Sequence, residues 1–338
     1  MNNLKHHNDF EREIFDFNIS TFEDLALELF RFQYQYNPVY NRYVNTISVL
    51  PRDVKKITQI PFLPISFFKT HEITTTEFSP EAVFESSGTT QTSKSRHYVK
   101  YLNLYKRSFQ KAFDLFYGDP AGWCIIGLLP SYLERSNSSL VAMTEELIRM
   151  SADDRSGFYL NEYGSLYEKL LELEAEKQKT LLIGVTFALL DFAEKHPVEL
   201  KHTIVMETGG MKGKKEELTR QQVHEILIKQ MRVPEVHSEY GMTELLSQSY
   251  SKSNGLFSSP PWMRILLRNE DDPFSLQDDS MATSSTPVTG IINVIDLANI
   301  YSCAFIATDD LGKIHHDGSF EVMGRLDHSD IRGCNLLF

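Results

Sequence analysis

Short apolar runs alternate with longer amphipathic segments over residues 1–259, and this alternation predicts the fold of that part of the chain. A run of apolar and β-branched residues predicts a buried strand, whereas apolar residues three and four positions apart predict one face of a helix. Their alternation predicts an α/β body with mostly parallel sheets flanked by helices. The predicted strands are Ala82–Glu85, Trp123–Leu129, Thr180–Ile183, His202–Met206 and Glu235–Glu239, and the predicted helices are residues 20–36, Tyr98–Tyr117, Ser139–Met150, Glu162–Lys177, Phe187–Lys195 and Lys214–Met231.

The pattern changes after Pro260, where apolar runs follow one another with few helical segments between them. Such a succession predicts a C-terminal antiparallel β subdomain packed on the α/β body. We therefore expect the body over residues 1–259, the β subdomain over 260–324 and a short tail over 325–338. The predicted strands of the subdomain are Trp262–Leu267, Gly290–Ile295, Ala304–Thr308 and Phe320–Met323.

The composition describes a globular chain and excludes several classes of function. Of its 338 residues, 41% are hydrophobic and 24% are charged, which suits a large folded core. The net charge of −12 argues against a nucleic-acid partner, because phosphate backbones demand clustered lysine and arginine. ATP remains compatible, since it needs only a few local cations. Composition leaves the oligomeric state open.

Cysteine content and the lack of long apolar runs indicate the compartment. The three cysteines, Cys124, Cys303 and Cys334, are too few and too scattered for a disulfide framework or a zinc site. The N-terminus has no apolar signal core, and no apolar run reaches the length of a membrane span. These features predict a cytoplasmic protein.

A loop rich in hydroxyl groups and glycine follows the predicted strand Ala82–Glu85. Gly88 permits backbone conformations and close approaches that a side chain would block. The loop hydroxyls and backbone N–H groups can bind phosphate oxygens, and Lys94 adds a cation. An ordinary polar turn is the alternative interpretation, and the lack of a Gly-x-x-x-x-Gly-Lys pattern argues against a P-loop. The hydroxyl-bearing residues of this loop are Ser86, Ser87, Thr89 and Thr90.

Two later segments complement that loop. In Tyr240-Gly241-Met242-Thr243-Glu244 the Tyr240 ring can stack on adenine, Thr243 can donate to phosphate, and Glu244 can bind Mg²⁺, which prefers oxygen ligands. Paired glycines at Gly209 and Gly210 let the backbone lie against a planar ring or a phosphate. A capped turn between a strand and a helix is the alternative for the first segment, and a plain turn for the second.

Two further segments lie near the end of the chain. In Thr308-Asp309-Asp310-Leu311-Gly312 a carboxylate can bind the two hydroxyls of a ribose, although Asp-Asp-x-Gly is also typical of a hairpin turn. In Gly324-Arg325-Leu326-Asp327 the guanidinium of Arg325 can reach ribose or phosphate, with a surface turn as the alternative.

These segments, in this order, resemble the adenylate-forming superfamily of acyl-CoA synthetases, luciferases and nonribosomal adenylation domains. The resemblance implies the large-domain architecture of those enzymes, ATP and Mg²⁺ as cofactors, a ribose-binding aspartate and a ribose-contacting Arg325. Two departures are visible: Gln91 and Ser93 replace a usual glycine and proline, and the aspartate motif reads Thr-Asp-Asp instead of Thr-Gly-Asp. Asp310 is the better match, and the choice between Asp309 and Asp310 stays open.

Within the superfamily the chain resembles the LuxE-type acyl-protein synthetases from about residue 60 to its end, with phenylacetate-CoA ligases as the next nearest. The resemblance rests on the segments Ile60–Lys69, Leu129–Arg135, Thr208–Gly213 and Gly324–Cys334. It implies activation of a fatty acid as its adenylate, a thioester on Cys334 and a possible acyl reductase as partner.

The C-terminus, at Phe338, leads us to expect that the small lid domain of the relatives is absent. The charge of the lid lysine would then come from Lys94 or Lys212 or be missing. A Cys334 tethered to the enzyme could replace a free coenzyme A thiol, because attachment raises the effective concentration of the nucleophile. Catalysis is therefore expected to depend on Cys334, Lys94 and Glu244.

Two other functions stay open. A ligase of the phenylacetate type would use free coenzyme A in place of Cys334. A non-catalytic protein with a relic nucleotide site would explain Gln91, Ser93 and the lack of a lid. The acyl length, the pathway and the final acceptor do not follow from the sequence.

Overall fold

The computed structural model describes residues 7–16, 22–86, 94–130, 137–209 and 218–326. Helices dominate the first part of the chain, helices and strands alternate in the middle, and strands dominate the last part. The helices are α1 His7–Glu13, α2 Phe22–Tyr36, α3 Pro38–Thr46, α4 Phe67–Thr70, α5 Leu102–Tyr117, α6 Ser139–Ser151, α7 Tyr163–Ala175, α8 Thr186–Lys195 and α9 Arg220–Met231. The strands are β1 Leu63–Pro64, β2 Ala82–Glu85, β3 Arg96–Val99, β4 Cys124–Leu128, β5 Gly157–Tyr159, β6 Thr180–Gly184, β7 Thr203–Glu207, β8 His237–Tyr240, β9 Ser249–Ser251, β10 Leu256–Ser258, β11 Met263–Arg268, β12 Leu276–Gln277, β13 Val288–Asp296, β14 Phe305–Ile314 and β15 Phe320–Arg325.

One sheet contains most of these strands, and its two halves have different character. Across one half of the sheet, neighbouring strands pair parallel, in the order β5, β4, β6, β7 and β8. From β8 onward neighbouring strands pair antiparallel, in the order β8, β9, β10, β15, β14, β13, β11 and β12. The short β1 pairs parallel with β14, and β2 pairs with β3 in a separate two-stranded sheet. The α/β class with antiparallel C-terminal strands is therefore confirmed.

The parallel half has the burial that its apolar sequence predicts. Every residue of β4 and of β6 is buried, because helices cover both faces of this part of the sheet. Two apolar clusters fill the space on either side of it. One cluster includes Leu128, Leu182 and Phe192, and the other includes Phe109, Trp123 and Ile183.

The C-terminal strands join the same sheet through the pairing of β10 with β15. β14 is ten residues long and alternates buried with half-buried positions, so that it extends well beyond the predicted Ala304–Thr308. Asp309 and Asp310 thus lie within a strand, and the hairpin alternative for this segment is wrong. The proposed boundaries at residues 259 and 324 stay a prediction.

One predicted helix begins later than expected. Residues Arg96–Val99 form β3, opposite β2, and α5 starts only at Leu102 instead of Tyr98. Burial of alternate residues, His97 and Val99, has the period of a strand, and the helical pattern that follows begins only at Leu102. This difference matters for the site, since β3 follows the Ser-Gly-Thr loop directly.

The N-terminal helix α2 holds a loop of the C-terminal half in place. Gln33, which is fully buried, donates through Nε2 to the carbonyls of Asn299 and Ile300, and its Oε1 accepts from the N–H of Ala304. None of the helices in the described ranges is long and apolar enough to cross a membrane.

The parallel strands β4, β6, β7 and β8 all end at the same edge of the sheet. Ligands of open α/β sheets bind beyond the carboxyl ends of the strands. Gly209 follows β7 and Gly241 follows β8, so both predicted segments lie at this edge. β8 is also the strand at which parallel pairing gives way to antiparallel pairing.

Candidate nucleotide site

Three of the predicted site residues form one hydrogen-bonded cluster. The Tyr240 hydroxyl donates to Asp310 Oδ2 at 2.9 Å, and Arg325 Nε donates to Asp310 Oδ1 at 3.1 Å. Asp310 and Arg325 are directly opposite each other in the pairing of β14 with β15, and the register of this pair shifts just beyond Leu311. Strand pairing therefore fixes a carboxylate, a guanidinium and an aromatic ring in one place.

We call the cluster of Tyr240, Asp310 and Arg325 the ribose wall, after the role predicted for Asp310 and Arg325. Its three members differ in how exposed they are. Tyr240 and Asp310 are each 8% exposed, whereas the Arg325 side chain is 50% exposed. Burial, and then the charge of Asp310, raise the pKa of the Tyr240 phenol well above its usual range. Tyr240 thus stays a neutral donor, and Arg325 offers its exposed face to a ligand.

A second cluster consists of Ser86, Ser95 and Glu244. We call it the metal wall, after the role predicted for Glu244, and in it the stem of the hydroxyl loop approaches that residue. The N–H of Ser95 donates to Ser86 Oγ and the N–H of Ser86 donates to the carbonyl of Ser95, both at 3.0 Å. The Ser95 side chain also lies near enough to the Glu244 carboxyl to lower its pKa. The stem of the hydroxyl loop therefore lies near Glu244.

Glu244 is a buried carboxylate, with 4% of its surface exposed. Burial raises the pKa of this carboxyl, and the Ser95 side chain and the charges of Arg325 and Lys69 only partly offset that effect. No ion pair to Glu244 is formed among the described residues, so a cation would relieve its burial. The two walls belong to one short stretch of chain, because Tyr240 and Glu244 are four residues apart.

The backbone around Glu244 is held by a histidine and an asparagine far away in sequence. His97 Nδ1 donates to the carbonyl of Thr243 at 2.9 Å, and its Nε2 lies 3.0 Å from Asn299 Oδ1. Asn299 Nδ2 donates to the carbonyl of Glu244 at 2.7 Å. Thr243 and Glu244 are thus tied both to β3 and to the loop that α2 secures.

Asp296, which is fully buried at the end of β13, fixes the residues after Glu244. It accepts hydrogen bonds from the N–H groups of Leu246, Ser247 and Ala298 at 2.8 to 3.1 Å, and from the Ser247 hydroxyl at 2.6 Å. Burial raises the pKa of Asp296 to about 6, although these donors favour the charged form. Asp296 therefore anchors the segment that carries Glu244.

The structure gives a steric reason for Gly241. A Cβ atom at this position would lie 2.3 Å from Glu239 Oε1, closer than real Cβ contacts allow. The Glu239 side chain thus folds over the glycine. Gly241 itself is half-buried, like Met242 and Thr243 after it, so these three residues form part of the surface at the carboxyl end of β8, where we place the candidate cleft.

Gly209 has a positive φ of 75°, which favours glycine, and its N–H donates to Glu207 Oε2 at 2.8 Å. Glu207 is buried, and it also binds Thr186 and Arg220 through side-chain hydrogen bonds of 3.1 and 3.2 Å. Although burial raises the pKa of Glu207, the nearby His224 and the charge of Arg220 lower it to about 2. A charged Glu207 therefore sets the turn after β7.

Lys94 does not face the two walls as a free cation. Its Nζ lies 3.0 Å from Glu85 Oε2, and both side chains are partly exposed. The remaining predicted residues lie outside the described ranges. They are Ser87, Gly88, Thr89, Thr90, Gly210 and Cys334, together with Lys212.

The residues present fit a magnesium ion bound jointly with phosphates. Within the described ranges, no group of three histidine, cysteine, aspartate or glutamate side chains could hold a metal by itself. Mg²⁺ commonly takes one or two protein carboxylates and completes its coordination with substrate phosphates and water. A single buried Glu244 without a cation partner in the described part of the chain suits that arrangement.

Several supporting residues escaped the sequence analysis. Ser95, Asp296 and Asn299 lie against the Thr243–Glu244 segment or the residues just after it, and the charge of Lys69 also affects Glu244. Their roles depend on contacts between positions far apart in the chain, and no local pattern marks them. Lys69 lay within the Ile60–Lys69 segment of the family resemblance, but its position beside Glu244 was not predicted.

No family model matches the chain, and no curated protein matches it in sequence. Solved structures resemble it in fold. A structure of 2-hydroxyisobutyryl-CoA ligase in the postadenylation state with R3-HIB-AMP has a TM-score of 0.63 and 10% identity, covering 96% of this chain and 69% of that one. An open conformation of this ligase with 2-HIB-AMP and CoA has a TM-score of 0.62 and 10% identity, covering 90% and 69%.

ATP-bound MatB from Rhodopseudomonas palustris is similar with a TM-score of 0.51 and 17% identity, covering 72% of this chain and 48% of MatB. The chain thus spans about half the length of MatB and about two thirds of the length of the hydroxyisobutyryl-CoA ligase. These likenesses establish that the fold is that of the adenylate-forming ligases.

Proposed function

We propose that this protein activates a carboxylic acid with ATP, forming an acyl-adenylate and pyrophosphate. The observation that carries the proposal is that one segment, residues 240–244, joins the two walls: Tyr240 binds Asp310, which pairs with Arg325, and Glu244 is a buried carboxylate without an ion pair in the described residues. This constellation lies at the carboxyl ends of the parallel strands, in a fold shared with structures that contain ATP or an acyl-AMP. Each wall alone would have a structural explanation, but a nucleotide requires both.

We propose the following division of roles, which the sequence motifs suggest. Asp310 and Arg325 bind the ribose, and Tyr240 packs on the adenine with Gly209 and Gly210 beside it. The hydroxyl loop from Ser86 through Ser87, Gly88, Thr89 and Thr90, together with Lys94, binds the phosphates. We infer that Thr243 adds a phosphate contact and that Gly241 keeps the cleft open.

Glu244 would hold Mg²⁺, which supplies charge neutralisation on the phosphate oxygens when it is bound. In the first step a carboxylate oxygen of the acid attacks the α-phosphorus, and the bond to pyrophosphate breaks. Positioning and electrostatics account for most of the acceleration in such a displacement. The buried setting of Glu244 strengthens its interaction with any cation, because little water screens it.

We further propose that the acyl group moves to Cys334, as the LuxE resemblance implies. The thiolate attacks the adenylate carbonyl, AMP leaves, and a thioester forms; the thiol proton passes to solvent. Cys124 and Cys303 are poor alternatives because both are buried, and burial raises their thiol pKa to about 11 and about 12. A fatty acid as substrate and an acyl reductase as acceptor complete this proposal.

Transfer to free coenzyme A is the second candidate. It is favoured by one observation: the open conformation of the hydroxyisobutyryl-CoA ligase, which has the same fold, contains CoA beside its adenylate. In that case Cys334 would carry no acyl group, and a soluble acyl-CoA would accumulate.

Intact-mass analysis after incubation with ATP, Mg²⁺ and a panel of acids tests both steps. We expect acid-dependent pyrophosphate release and a hydroxylamine-sensitive acyl adduct on the protein. Cys334→Ser should release pyrophosphate but carry no adduct, whereas the control Cys124→Ala should keep it. No pyrophosphate release with any acid would reject the activation step, and an adduct on Cys334→Ser would reject the acceptor.

A further inference from the structure

Three polar side chains on one face of β8 and β9 take no part in the roles assigned so far. Glu239 and Tyr250 are directly opposite each other in the antiparallel pairing of these strands. Gln248 lies two positions before Tyr250, and its Cγ lies 3.3 Å from the place a Gly241 Cβ would occupy. Since alternate strand residues share a face, these three side chains belong to one surface.

Two polar atoms of this surface lack hydrogen-bond partners in the described part of the chain. Gln248 Oε1 and the Tyr250 hydroxyl are buried without a hydrogen bond. The hydroxyl groups around them do have hydrogen-bond partners: the Tyr105 hydroxyl donates to the carbonyl of Ser139, and the Tyr117 hydroxyl lies within hydrogen-bond distance of His237. A buried polar group without a partner costs roughly 1–3 kcal/mol, so two such groups on one face need an explanation.

The surface adjoins the candidate cleft. Glu239, Gly241, Met242 and Thr243 are half-buried, in contrast with Ser238 and Leu245 on either side of them, which are fully buried. The Glu239 carboxyl covers Gly241, as the 2.3 Å approach shows. A molecule that enters beside Gly241 therefore meets this carboxyl, while Tyr240 points to the ribose wall on the other face of the strand.

The protonation state of Glu239 suits recognition of a neutral group. Burial, with a smaller contribution from the charge of Glu207, raises the pKa of Glu239 to about 8. At neutral pH this carboxyl is largely protonated and can both donate and accept a hydrogen bond. A second carboxylate on the substrate would be a poorer match, because its charge would lie in an apolar, aromatic setting.

We infer that Glu239, together with Tyr250 and Gln248, recognises a hydroxyl group carried by the acid substrate. The inference rests on the proposed function, and it narrows the substrate from a plain acid to a hydroxy acid. The apolar rings of Tyr105, Phe116 and Tyr117 around this face would pack against the carbon chain. The hydroxyl of the substrate would supply the missing hydrogen-bond partner.

The test compares matched acids that differ only in one hydroxyl. Saturated acids with and without a hydroxyl at carbon 2, 3 or 4, and benzoate with its hydroxylated forms, are assayed by pyrophosphate release. We expect kcat/KM to favour at least one hydroxy acid over its unsubstituted partner by about tenfold or more, since a site with polar groups left unpaired rejects the analogue.

Variants connect that preference to the residues. Glu239→Met should reduce the preference to near unity, because it keeps the length of the side chain and removes its hydrogen bonds. Glu239→Gln should retain most of it, and Tyr250→Phe should lower it partly. Glu235→Met, which changes an exposed glutamate before β8, is the matched control and should keep the preference. Circular dichroism checks that each variant is folded.

The outcomes separate this inference from the proposed function. Equal rates for every matched pair, or a preference that survives Glu239→Met, would overturn the role of Glu239 while leaving acid activation intact. A lack of pyrophosphate release with all acids would instead reject the proposed function itself.

Discussion

The two walls of the candidate site are built in opposite ways. In the ribose wall, Asp310 has two partners: Arg325, opposite it in the pairing of β14 with β15, and Tyr240 at the end of β8. In the metal wall, Glu244 is almost fully buried, its pKa is raised, and the Ser95 side chain lies near it. The carboxylate of the first wall has its partners within the protein, whereas Glu244 has no ion pair among the described residues.

This difference identifies the wall that lowers the stability of the ligand-free protein, which is the one that contains Glu244. Sites that break local physical rules are expected to be functional, because the cost must be offset when the ligand binds. By this criterion the metal wall, with Glu244, is the more informative of the two. Asp310 and Arg325 alone would resemble many structural ion pairs.

The largest effect is expected for Glu244→Gln. The amide keeps the shape of the side chain but removes the charge that would hold the cation, so acid-dependent pyrophosphate release should fall by about a hundredfold or more. The same variant should stabilise the ligand-free protein by about 1 kcal/mol at neutral pH, since it removes a buried charge. Glu145→Gln on the exposed face of α6 is the matched control and should change neither quantity.

The pH dependence of stability sharpens this prediction. The pKa of Glu244 is raised in the folded protein, so its contribution is fully present below the pKa of the unfolded chain and is lost as pH rises through the folded value. The stability advantage of Glu244→Gln should therefore grow from acidic to neutral pH. Thermal unfolding of both proteins across that range measures it, and a constant or shrinking difference would contradict the burial argument.

A smaller effect is expected for Asp310→Asn, which weakens the ribose wall without exposing it. Hydrogen bonds to a charged group contribute about 1.5–3 kcal/mol, so the affinity for ATP should fall roughly tenfold to a hundredfold. Asp309→Asn is the natural comparison, because sequence alone left the choice between these neighbours open. Isothermal titration of each variant with ATP decides between the two aspartates. A larger loss of ATP affinity from Asp309→Asn than from Asp310→Asn would assign ribose binding to Asp309.

The smallest effect is expected for Tyr240→Phe. The ring remains to stack on adenine, and only the donor to Asp310 is lost, so ATP affinity should fall about fivefold. Tyr250→Phe removes a hydroxyl with no partner in the described residues and should leave ATP affinity unchanged. If both variants bound ATP equally well, the hydroxyl of Tyr240 would have no part in the site.

The parallel half of the sheet was easier to predict from the sequence than the antiparallel half, for a physical reason. Strands such as β4 and β6 are buried on both faces, so their apolar runs mark them directly. In β14 alternate residues are half-buried, and Asp309, Asp310 and Gly312 are typical of turns. Pairing with β13 and β15 overrides those local preferences, and local pattern does not contain that information.

In the candidate site too, some residues could be predicted from local sequence motifs and others could not. Motif order and family resemblance singled out Tyr240, Glu244, Asp310 and Arg325; the structure joins Tyr240, Asp310 and Arg325 by hydrogen bonds and buries Glu244 four residues after Tyr240. The residues that hold Glu244 in position, Ser95 and Asn299 among them, were not predicted, because they approach it only once the chain has folded.

The separation of these partners along the chain has a consequence for synthesis. Ser86 and Ser95 leave the ribosome early, Glu244 follows much later, and Arg325 emerges only with the final strand of the described sheet. A nascent chain that stops short of β15 would therefore present Asp310 without its guanidinium. Under the proposed function, ATP binding would have to wait until β15 has been translated, so a partly made chain would consume no acid.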